Sequence, residues 1–254
     1  MIDTHSHIYL PEFNEDRDDV IERAKNAGLE AILMPNVDGE TIEDMHQLEA
    51  SNKGFCHAMM GVHPTSVKAD YMNALREVKK HLDARSYIAV GEIGIDLYWD
   101  KTFRREQMLA FEQQIIWAKE LGLPIVIHCR DAFPEVFEVV DKLIDENLTG
   151  VFHSFSGGLD EAKRILDYKT FMLGINGVVT FKNTDLRETL KEVPLEKVIL
   201  ETDAPYLAPV PKRGRRNEPA YLERIAETIA KVHEVSIDDI KKQTTINARQ
   251  LFAL

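Results

Sequence analysis

The chain contains very little cysteine, with Cys56 and Cys129 as the only two among 254 residues. Two thiols cannot build a disulfide framework, and no Cys-x-x-Cys pair is present to suggest a zinc site. A disulfide-stabilised secreted scaffold is therefore excluded. We expect both residues to be reduced thiols in the core of a cytoplasmic protein.

Long apolar stretches are also missing, since no run of 18 apolar residues occurs anywhere in the sequence. No membrane-spanning helix is predicted, because such a helix needs about 20 mostly apolar residues. The N-terminus shows no basic segment followed by an apolar one, and Met1 and Ile2 lead directly into the segment His5-Ser6-His7. We therefore expect no cleavable leader and no membrane partner. Nothing in the sequence indicates an obligate protein partner.

Positive charge is in short supply as well, with 31 Lys and Arg residues against 43 Asp and Glu residues and a net charge of -12. Proteins that cover duplex DNA electrostatically are usually basic, so that class of protein is disfavoured. A nuclease is not excluded, because bound cations reverse the local electric field in a small site.

Short apolar segments alternate with amphipathic helical stretches along the chain, a pattern typical of buried parallel strands joined by helices. The predicted strands are residues 1–3, 31–36, 55–61, 88–92, 125–128, 151–153, 171–175 and 198–201. Helical spacing is clearest over residues 16–27 and 104–121, and residues 219–254 predict helices packed around the outside. The length and the alternation predict an α/β fold, a TIM-like (β/α)8 barrel, as a single domain over residues 1–254.

Six side chains of the types that bind catalytic metals follow predicted strands. They are His5, His7, Glu92, His128, His153 and Asp203. A β/α barrel places its active site at the carboxyl ends of its strands, so we expect these side chains to meet at one rim. A metallohydrolase is therefore the leading hypothesis. Each residue taken alone would fit a structural role about as well as a functional one.

The spacing of these residues suggests how two cations are shared. Because side chains at i and i+2 of an extended segment point the same way, His5 and His7 can reach one ion. A carboxylate has two oxygens and can bridge two ions, so we expect Glu92 to be the bridging ligand. The alternative is a buried glutamate paired with Arg or Lys, because an unpaired carboxylate would be costly in so apolar a segment.

The remaining ligands complete the two sites. His128 and His153 end successive strands and can share the second ion. Asp203 can bind the first ion and accept a proton from the attacking water. Glu92 and Asp203 are therefore the predicted catalytic residues.

Two further residues near the same rim are predicted to contact substrate. His63 follows the third strand and suits a contact to substrate or phosphate, with a structural role as the alternative. Arg130 can pair bidentately with a phosphate, and an ordinary ion pair with Asp131 or Glu135 is the alternative. Aromatic residues near the rim, Tyr98, Trp99, Phe155 and Tyr206, suit base stacking, although packing is the more common role of such side chains.

Taken together, these residues resemble the TatD family of metal-dependent deoxyribonucleases. The matching segments are residues 2–7 (IDTHSH), 61–64 (GVHP), 91–96 (GEIGID), 128–132 (HCRDA), 153–157 (HSFSG), 201–206 (ETDAPY) and 216–219 (RNEP). The resemblance extends over nearly the whole chain and implies a TIM-like barrel with a binuclear site. By this analogy His5, His7, Glu92 and Asp203 hold one ion, and Glu92, His128 and His153 hold the other.

The resemblance also implies hydrolysis of phosphodiester bonds in DNA, often exonucleolytic, supported by two Mg²⁺ or Mn²⁺ ions. Imidazole ligands are equally suited to Zn²⁺, so the metal stays open. Single-stranded DNA or frayed ends are the expected substrate, because a barrel mouth admits a strand end more readily than an intact duplex. We expect Asp203 to take the water proton, and His63, Arg130 and the basic loop 212–216 to hold the DNA backbone.

Two other functions compete with this one. The first is a small-molecule amidohydrolase, lactonase or phosphoesterase on the same barrel, which fold-level analogy cannot separate from a nuclease. The second is a metal-binding or nucleic-acid adaptor protein without activity. The adaptor protein is disfavoured because all six predicted ligand positions carry a metal-binding residue.

Overall fold

The computed structural model describes all 254 residues and contains eight strands and nine α-helices. The strands are β1 (Ile2–Asp3), β2 (Ala31–Met34), β3 (Cys56–Ala58), β4 (Val90–Asp96), β5 (Ile125–Arg130), β6 (Gly150–Phe152), β7 (Phe171–Ile175) and β8 (Val198–Leu200). The helices are α1 (Arg17–Asn26), α2 (Ile42–Ser51), α3 (Tyr71–Ala84), α4 (Arg104–Leu121), α5 (Phe133–Leu143), α6 (Leu159–Asp167), α7 (Leu186–Leu190), α8 (Leu222–His233) and α9 (Ile237–Phe252). All eight predicted strands are present, and the two predicted helices coincide with α1 and α4. None of the helices combines the length and apolar composition needed to cross a bilayer.

The strands are all parallel and follow chain order, in one sheet of β1 to β3 and another of β4 to β8. Backbone hydrogen bonds join the two sheets at both seams. At one seam the Gly91 amide donates to the Met60 carbonyl at 3.1 Å, and at the other the Thr4 amide donates to the Leu200 carbonyl at 3.0 Å. These contacts complete the TIM-like β/α barrel that the sequence predicts.

Alternation along each strand separates two groups of buried side chains, because successive residues face opposite sides of a sheet. The larger group of 59 residues packs the outer strand faces against the helices. The smaller group of 12 residues contains one face of the strands together with Ala248, Leu251 and Phe252 of α9. Its other members lie on the strands or, for Met59 and Ala89, directly beside them, and are Ile2, Ala31, Leu33, Met59, Ala89, Val126, Val151, Met172 and Ile199.

The position of α9 corrects one expectation, because this helix does not pack around the outside of the barrel. Its apolar residues join the interior group, and the Asn247 side chain donates to the carbonyls of Leu195 and Val198 at the start of β8. Helix α9 therefore closes the amino end of the barrel. The carboxyl end remains the open one, and the polar residues described next lie there.

Candidate metal centre

The interior layer of the barrel explains why distant segments converge at its carboxyl end. On each strand, the side chain two residues after an inward-facing apolar residue also points into the barrel. On β5 this position is occupied by His128, and directly after β6 and β8 it is occupied by His153 and Glu201. The apolar residues two positions before them are Val126, Val151 and Ile199.

The first cluster brings together His5, His7, Glu92 and Asp203. The Nε2 atoms of the two histidines are 3.2 Å apart, and His5 Nε2 is 3.1 Å from Glu92 Oε2. Asp203 Oδ1 is 3.9 Å from His5 Nε2 and 3.7 Å from His7 Nε2. Two nitrogens bound to one Zn²⁺ at about 2.0–2.1 Å lie roughly 3 Å from each other, so this spacing suits a shared ion.

The second cluster forms around the other oxygen of Glu92. Glu92 Oε1 is 2.8 Å from His128 Nδ1 and 3.7 Å from His153 Nε2. The His153 ring also stacks on that of His5, with centroids 3.3 Å apart, so His153 lies between the two clusters. His63 Nε2 also belongs to the second cluster, at 3.4 Å from Glu92 Oε1 and 3.3 Å from His128 Nδ1. His63 is thus as close to the carboxylate as the predicted ligands are, which the sequence did not indicate.

Glu92 faces one cluster with each of its oxygens, as a bridging ligand does. Its side chain is 3% exposed, and every ion-pair partner within 4.0 Å is a histidine. The alternative of a structural pair with Arg or Lys is therefore wrong. A buried carboxylate surrounded only by imidazoles lacks a permanent counter-charge, which a bound cation would supply.

Hydrogen bonds fix the proton positions on the His7 ring. The Tyr9 hydroxyl donates to the Pro35 carbonyl at 2.6 Å, so it accepts from His7 Nδ1, which lies 2.9 Å away. A neutral His7 then carries its proton on Nδ1 and directs the lone pair of Nε2 toward His5. Burial lowers the pKa of His7 to about 4 and that of His5 well below its usual value. Both rings are therefore neutral, the form that binds a metal.

Two carboxylates that the sequence reasoning did not assign support the histidines of the second cluster. Asp96 Oδ2 lies 2.8 Å from His128 Nε2, and Glu201 Oε1 lies 3.0 Å from His153 Nδ1. Burial alone would lower the pKa of each histidine, but the facing carboxylates outweigh it and raise the pKa of His128 to about 9 and that of His153 to about 10. The same negative potential attracts a cation. Glu201 could have been found from its position two residues beyond the inward-facing Ile199.

Asp203 follows β8 and has a left-handed backbone conformation with a φ of 59°. Non-glycine residues adopt this conformation at an energetic cost and do so preferentially at functional sites. Burial raises the pKa of Asp203 to about 7, against the opposing charge of His153 and with the help of Glu92. A carboxyl group in this range can accept a proton near neutral pH.

Glycine makes room for these side chains at one position in particular. A Cβ at Gly174 on β7 would lie 2.4 Å from Glu201 Oε2. Glu201 Oε2, His5 Nδ1 and His153 Nδ1 are buried without any hydrogen-bond partner. The fit to metal rests on the other side-chain atoms of the centre. Those of His5, His7 and Asp203 form one group and those of His63, Glu92 and His128 another, and within each group the atoms lie within 4.8 Å of one another, so the residues present fit a pair of divalent metal ions.

The predicted substrate contacts differ in their surroundings. Arg130 forms none of the predicted ion pairs, since Glu135 pairs with Arg104 at 2.8 Å. Its guanidinium lies instead 3.9 Å from the centroid of the Tyr98 ring. In the basic loop, Arg216 binds the Asp16 carboxylate with two hydrogen bonds of 2.7 and 2.8 Å, so its charge is already paired.

A β/α barrel with imidazoles and carboxylates gathered at its carboxyl mouth is the architecture of metal-dependent hydrolases. The model of the family described as "TatD related DNase" matches residues 2–253. The chain belongs to this family and is a metal-dependent hydrolase.

Similar proteins match over their full length. An uncharacterized metal-dependent hydrolase of Bacillus subtilis, YabD, is 36% identical over 100% of this chain and 99% of its own. A protein of Pantoea ananatis named "3'-5' ssDNA/RNA exonuclease TatD" is 32% identical over 100% of both chains. The crystal structure of YjjV, a TatD homologue from Escherichia coli, superposes with a TM-score of 0.92 at 28% identity and covers 100% of this chain and 98% of that one.

Proposed function

We propose that this protein is a deoxyribonuclease that hydrolyses phosphodiester bonds of DNA, acting exonucleolytically on single-stranded or frayed ends in the cytoplasm. The observation that carries the proposal is the bridging position of Glu92, with one oxygen at each of two clusters of imidazoles. Two cations held in this way suit in-line displacement at a phosphorus atom. The name of the relative from Pantoea ananatis, a single-strand DNA and RNA exonuclease, also favours a nucleic-acid substrate.

In this proposal each residue of the centre has one role. One cation would be held by His5, His7, Glu92 and Asp203, and the other by Glu92, His128 and His153, with Mg²⁺ or Mn²⁺ as the ions and Zn²⁺ as a compatible substitute. When bound, the ions polarise the phosphate and lower the pKa of the attacking water. His63 and Arg130 contact the phosphate groups of the substrate.

Asp203 accepts the proton of the attacking water in this mechanism. Its carboxylate lies beside both histidines of the first cluster, and its raised pKa matches proton transfer near neutral pH. Changing Asp203 to Asn should reduce kcat by about 10²- to 10⁴-fold, the range that general acid–base groups contribute, with a much smaller loss of DNA binding. Asp167→Asn, at the exposed end of α6, is the control. Normal turnover of Asp203→Asn would remove Asp203 from this role.

The proposed function is tested with single-stranded oligonucleotides labelled at the 3′ or the 5′ end, assayed separately with Mg²⁺, Mn²⁺ and Zn²⁺. Stepwise shortening from one end supports an exonuclease and gives its polarity. Lactones, cyclic amides and small phosphoesters are assayed in parallel. Turnover of these compounds without cleavage of DNA would replace the nuclease by a small-molecule hydrolase, and no metal-dependent turnover of any kind would favour an adaptor protein.

A further inference from the structure

Exposed aromatic side chains are confined to one region of this protein. Only Tyr98, Trp99 and Tyr206 are exposed, at 51%, 72% and 51%, and every other aromatic residue is buried or half-buried. All three follow strands β4 and β8 and therefore lie at the carboxyl mouth of the barrel. Phe155, the fourth aromatic that the sequence singled out, is 3% exposed and packs against Phe133. Large apolar groups left in water around one opening indicate a binding surface.

Tyr98, Trp99 and Arg130 form a small wall beside the second metal cluster. The Tyr98 and Trp99 rings meet edge to face, with centroids 4.7 Å apart and an interplanar angle of 88°. The Arg130 guanidinium lies 3.9 Å from the Tyr98 centroid and 5.4 Å from the Trp99 centroid. These contacts hold the wall in place while they leave most of the indole of Trp99 in solvent.

The wall is directly connected to the metal centre. Asp96 contacts His128 Nε2 with one oxygen and accepts the Tyr98 amide with the other, at 2.8 and 3.0 Å. Arg130 lies two residues beyond His128 on β5, which is about 6.6 Å along a strand. A phosphodiester strand with one phosphate on the cations would therefore reach the wall with its next nucleotide.

A lysine and a hydroxyl group lie between the wall and His63. Trp99 lines a small pocket together with Thr65, Lys68 and Phe103, and the carboxylates of Asp96 and Asp100 line it as well. The Thr65 hydroxyl lies 2.7 Å from His63 Nδ1, and the Lys68 ammonium lies 5.5 Å from the Phe103 ring centroid. An aromatic face beside Lys and Arg side chains is the combination with which proteins bind single-stranded nucleic acid, since every base has a face that can stack.

We propose that Trp99 is the stacking platform for one unpaired nucleobase of the substrate strand, next to the phosphate that is cleaved, and that Arg130, stacked on Tyr98, binds the adjoining phosphate. This inference rests on the proposed nuclease function. It assigns selectivity for single strands to the wall, because a paired and stacked base does not offer its face to an indole.

The test compares Trp99→Ala and Trp99→Phe with the wild-type protein on an eight-residue oligothymidylate in the presence of Mn²⁺. Loss of one stacked base should raise KM by roughly 5- to 100-fold in Trp99→Ala while kcat changes little. Trp99→Phe keeps an aromatic face and should retain most of the affinity. Val235→Ala removes another exposed apolar side chain, at the far end of α8, and serves as the matched control.

A second set of substrates separates stacking from an indirect effect on the fold. One base at a time is removed from the three terminal nucleotides at the end that is degraded. In the wild type one of these abasic positions should raise KM about as much as Trp99→Ala does, and in Trp99→Ala the same lesion should add nothing. Because Trp99 is exposed, its replacement should move Tm by no more than about 2 °C. If Trp99→Ala unfolds, the KM of Trp99→Phe and the KM of the wild type on the abasic substrates still test the stacking proposal.

The inference is overturned if Trp99→Ala binds oligothymidylate as tightly as the Val235→Ala control does. It is also overturned if the rise in KM caused by Trp99→Ala and the rise caused by an abasic nucleotide are additive at every position. A wild-type protein that cleaves no single-stranded DNA with any of the three metals would instead overturn the proposed function. The two failures are therefore distinguishable.

Discussion

Glu201 offers the sharpest test of how the metal centre is built, through the substitution Glu201→Gln. Its side chain is 1% exposed, and Glu201 Oε1 contacts both His153 Nδ1 at 3.0 Å and the Ser154 amide at 2.5 Å. Glu201 does not reach the cations in the proposed arrangement. Its carboxylate lies against the Nδ1 side of the His153 ring, whose Nε2 points at Glu92, and its charge favours a cation there.

The substitution keeps the acceptor and removes the charge. A glutamine can direct its oxygen at His153 and Ser154, but its amide nitrogen then occupies the position of Glu201 Oε2, a buried atom with no hydrogen-bond partner. An unsatisfied buried donor costs about 1–3 kcal/mol. Loss of a carboxylate behind a metal-binding histidine lowers metal affinity by about 10- to 100-fold, or about 1.4–2.7 kcal/mol. We expect both effects, with the loss of metal affinity as the diagnostic one.

Calorimetric titration of metal-free protein with Mn²⁺ measures that affinity directly and does not depend on turnover. Glu196→Gln makes the same change of charge at an exposed position just before β8 and is the control. One of two binding events should weaken in Glu201→Gln, and the other should stay close to its wild-type value. Unchanged affinity at both sites would refute the idea that Glu201 positions a ligand.

Three further predictions concern the metals, a thiol and acid stability. Chelation by EDTA should abolish hydrolysis and lower Tm by about 5–10 °C relative to protein with metal at 100 times its Kd, with recovery on addition of Mn²⁺; an unchanged Tm would contradict the proposed ligand set. Cys56 is 1% exposed, and burial raises its pKa to about 12, so a thiol reagent should label it only after unfolding. The Arg216 guanidinium beside Asp16 lowers the pKa of that carboxyl from 3.8 to about 2, so the contribution of Asp16 to stability is complete above about pH 5 and is lost as the pH falls through 2 toward about pH 1. Asp16→Asn should therefore lower the free energy of unfolding by about 0.2–1 kcal/mol at pH 7 and by only a small fraction of that at pH 2, as measured by urea titration.

The strand order and the positions of the six expected ligands follow from simple features of the sequence. Short apolar segments mark each buried parallel strand, and the first polar residue after each segment lies at the mouth. The ends of the strands were less predictable. Strand β4 continues to Asp96 and β5 to Arg130, beyond the predicted ends at Glu92 and His128. The register of the β4–β5 pairing shifts between Val90 and Ile93, and the two strands then stay paired up to these residues.

Features that depend on contacts between distant segments were not accessible from the sequence. Helix α9 has an ordinary amphipathic pattern, and nothing in that pattern distinguishes the outside of the barrel from its amino end. The sequence position of His63 does not distinguish a metal ligand from a substrate contact. Only the three-dimensional arrangement shows that His63 Nε2 lies 3.3 Å from His128 Nδ1. Arg130 has acidic neighbours along the chain, yet its guanidinium stacks on an aromatic ring that follows a different strand.

The balance of charge at the mouth links metal binding to substrate binding. Four carboxyl groups converge there, those of Glu92, Asp96, Glu201 and Asp203, in a protein whose net charge is already -12. Burial lowers the pKa of His5 and His7 and keeps these rings neutral, whereas the facing carboxylates raise the pKa of His128 and His153 and keep those rings protonated without metal. Two imidazolium charges offset only part of the charge of four carboxyl groups, so a mouth without cations would still repel a phosphodiester. Two divalent cations reverse that local field. The same side chains that would bind the metals would thus keep nucleic acid away until the metals are bound, and affinity for a single strand should rise with metal occupancy before any bond is cleaved.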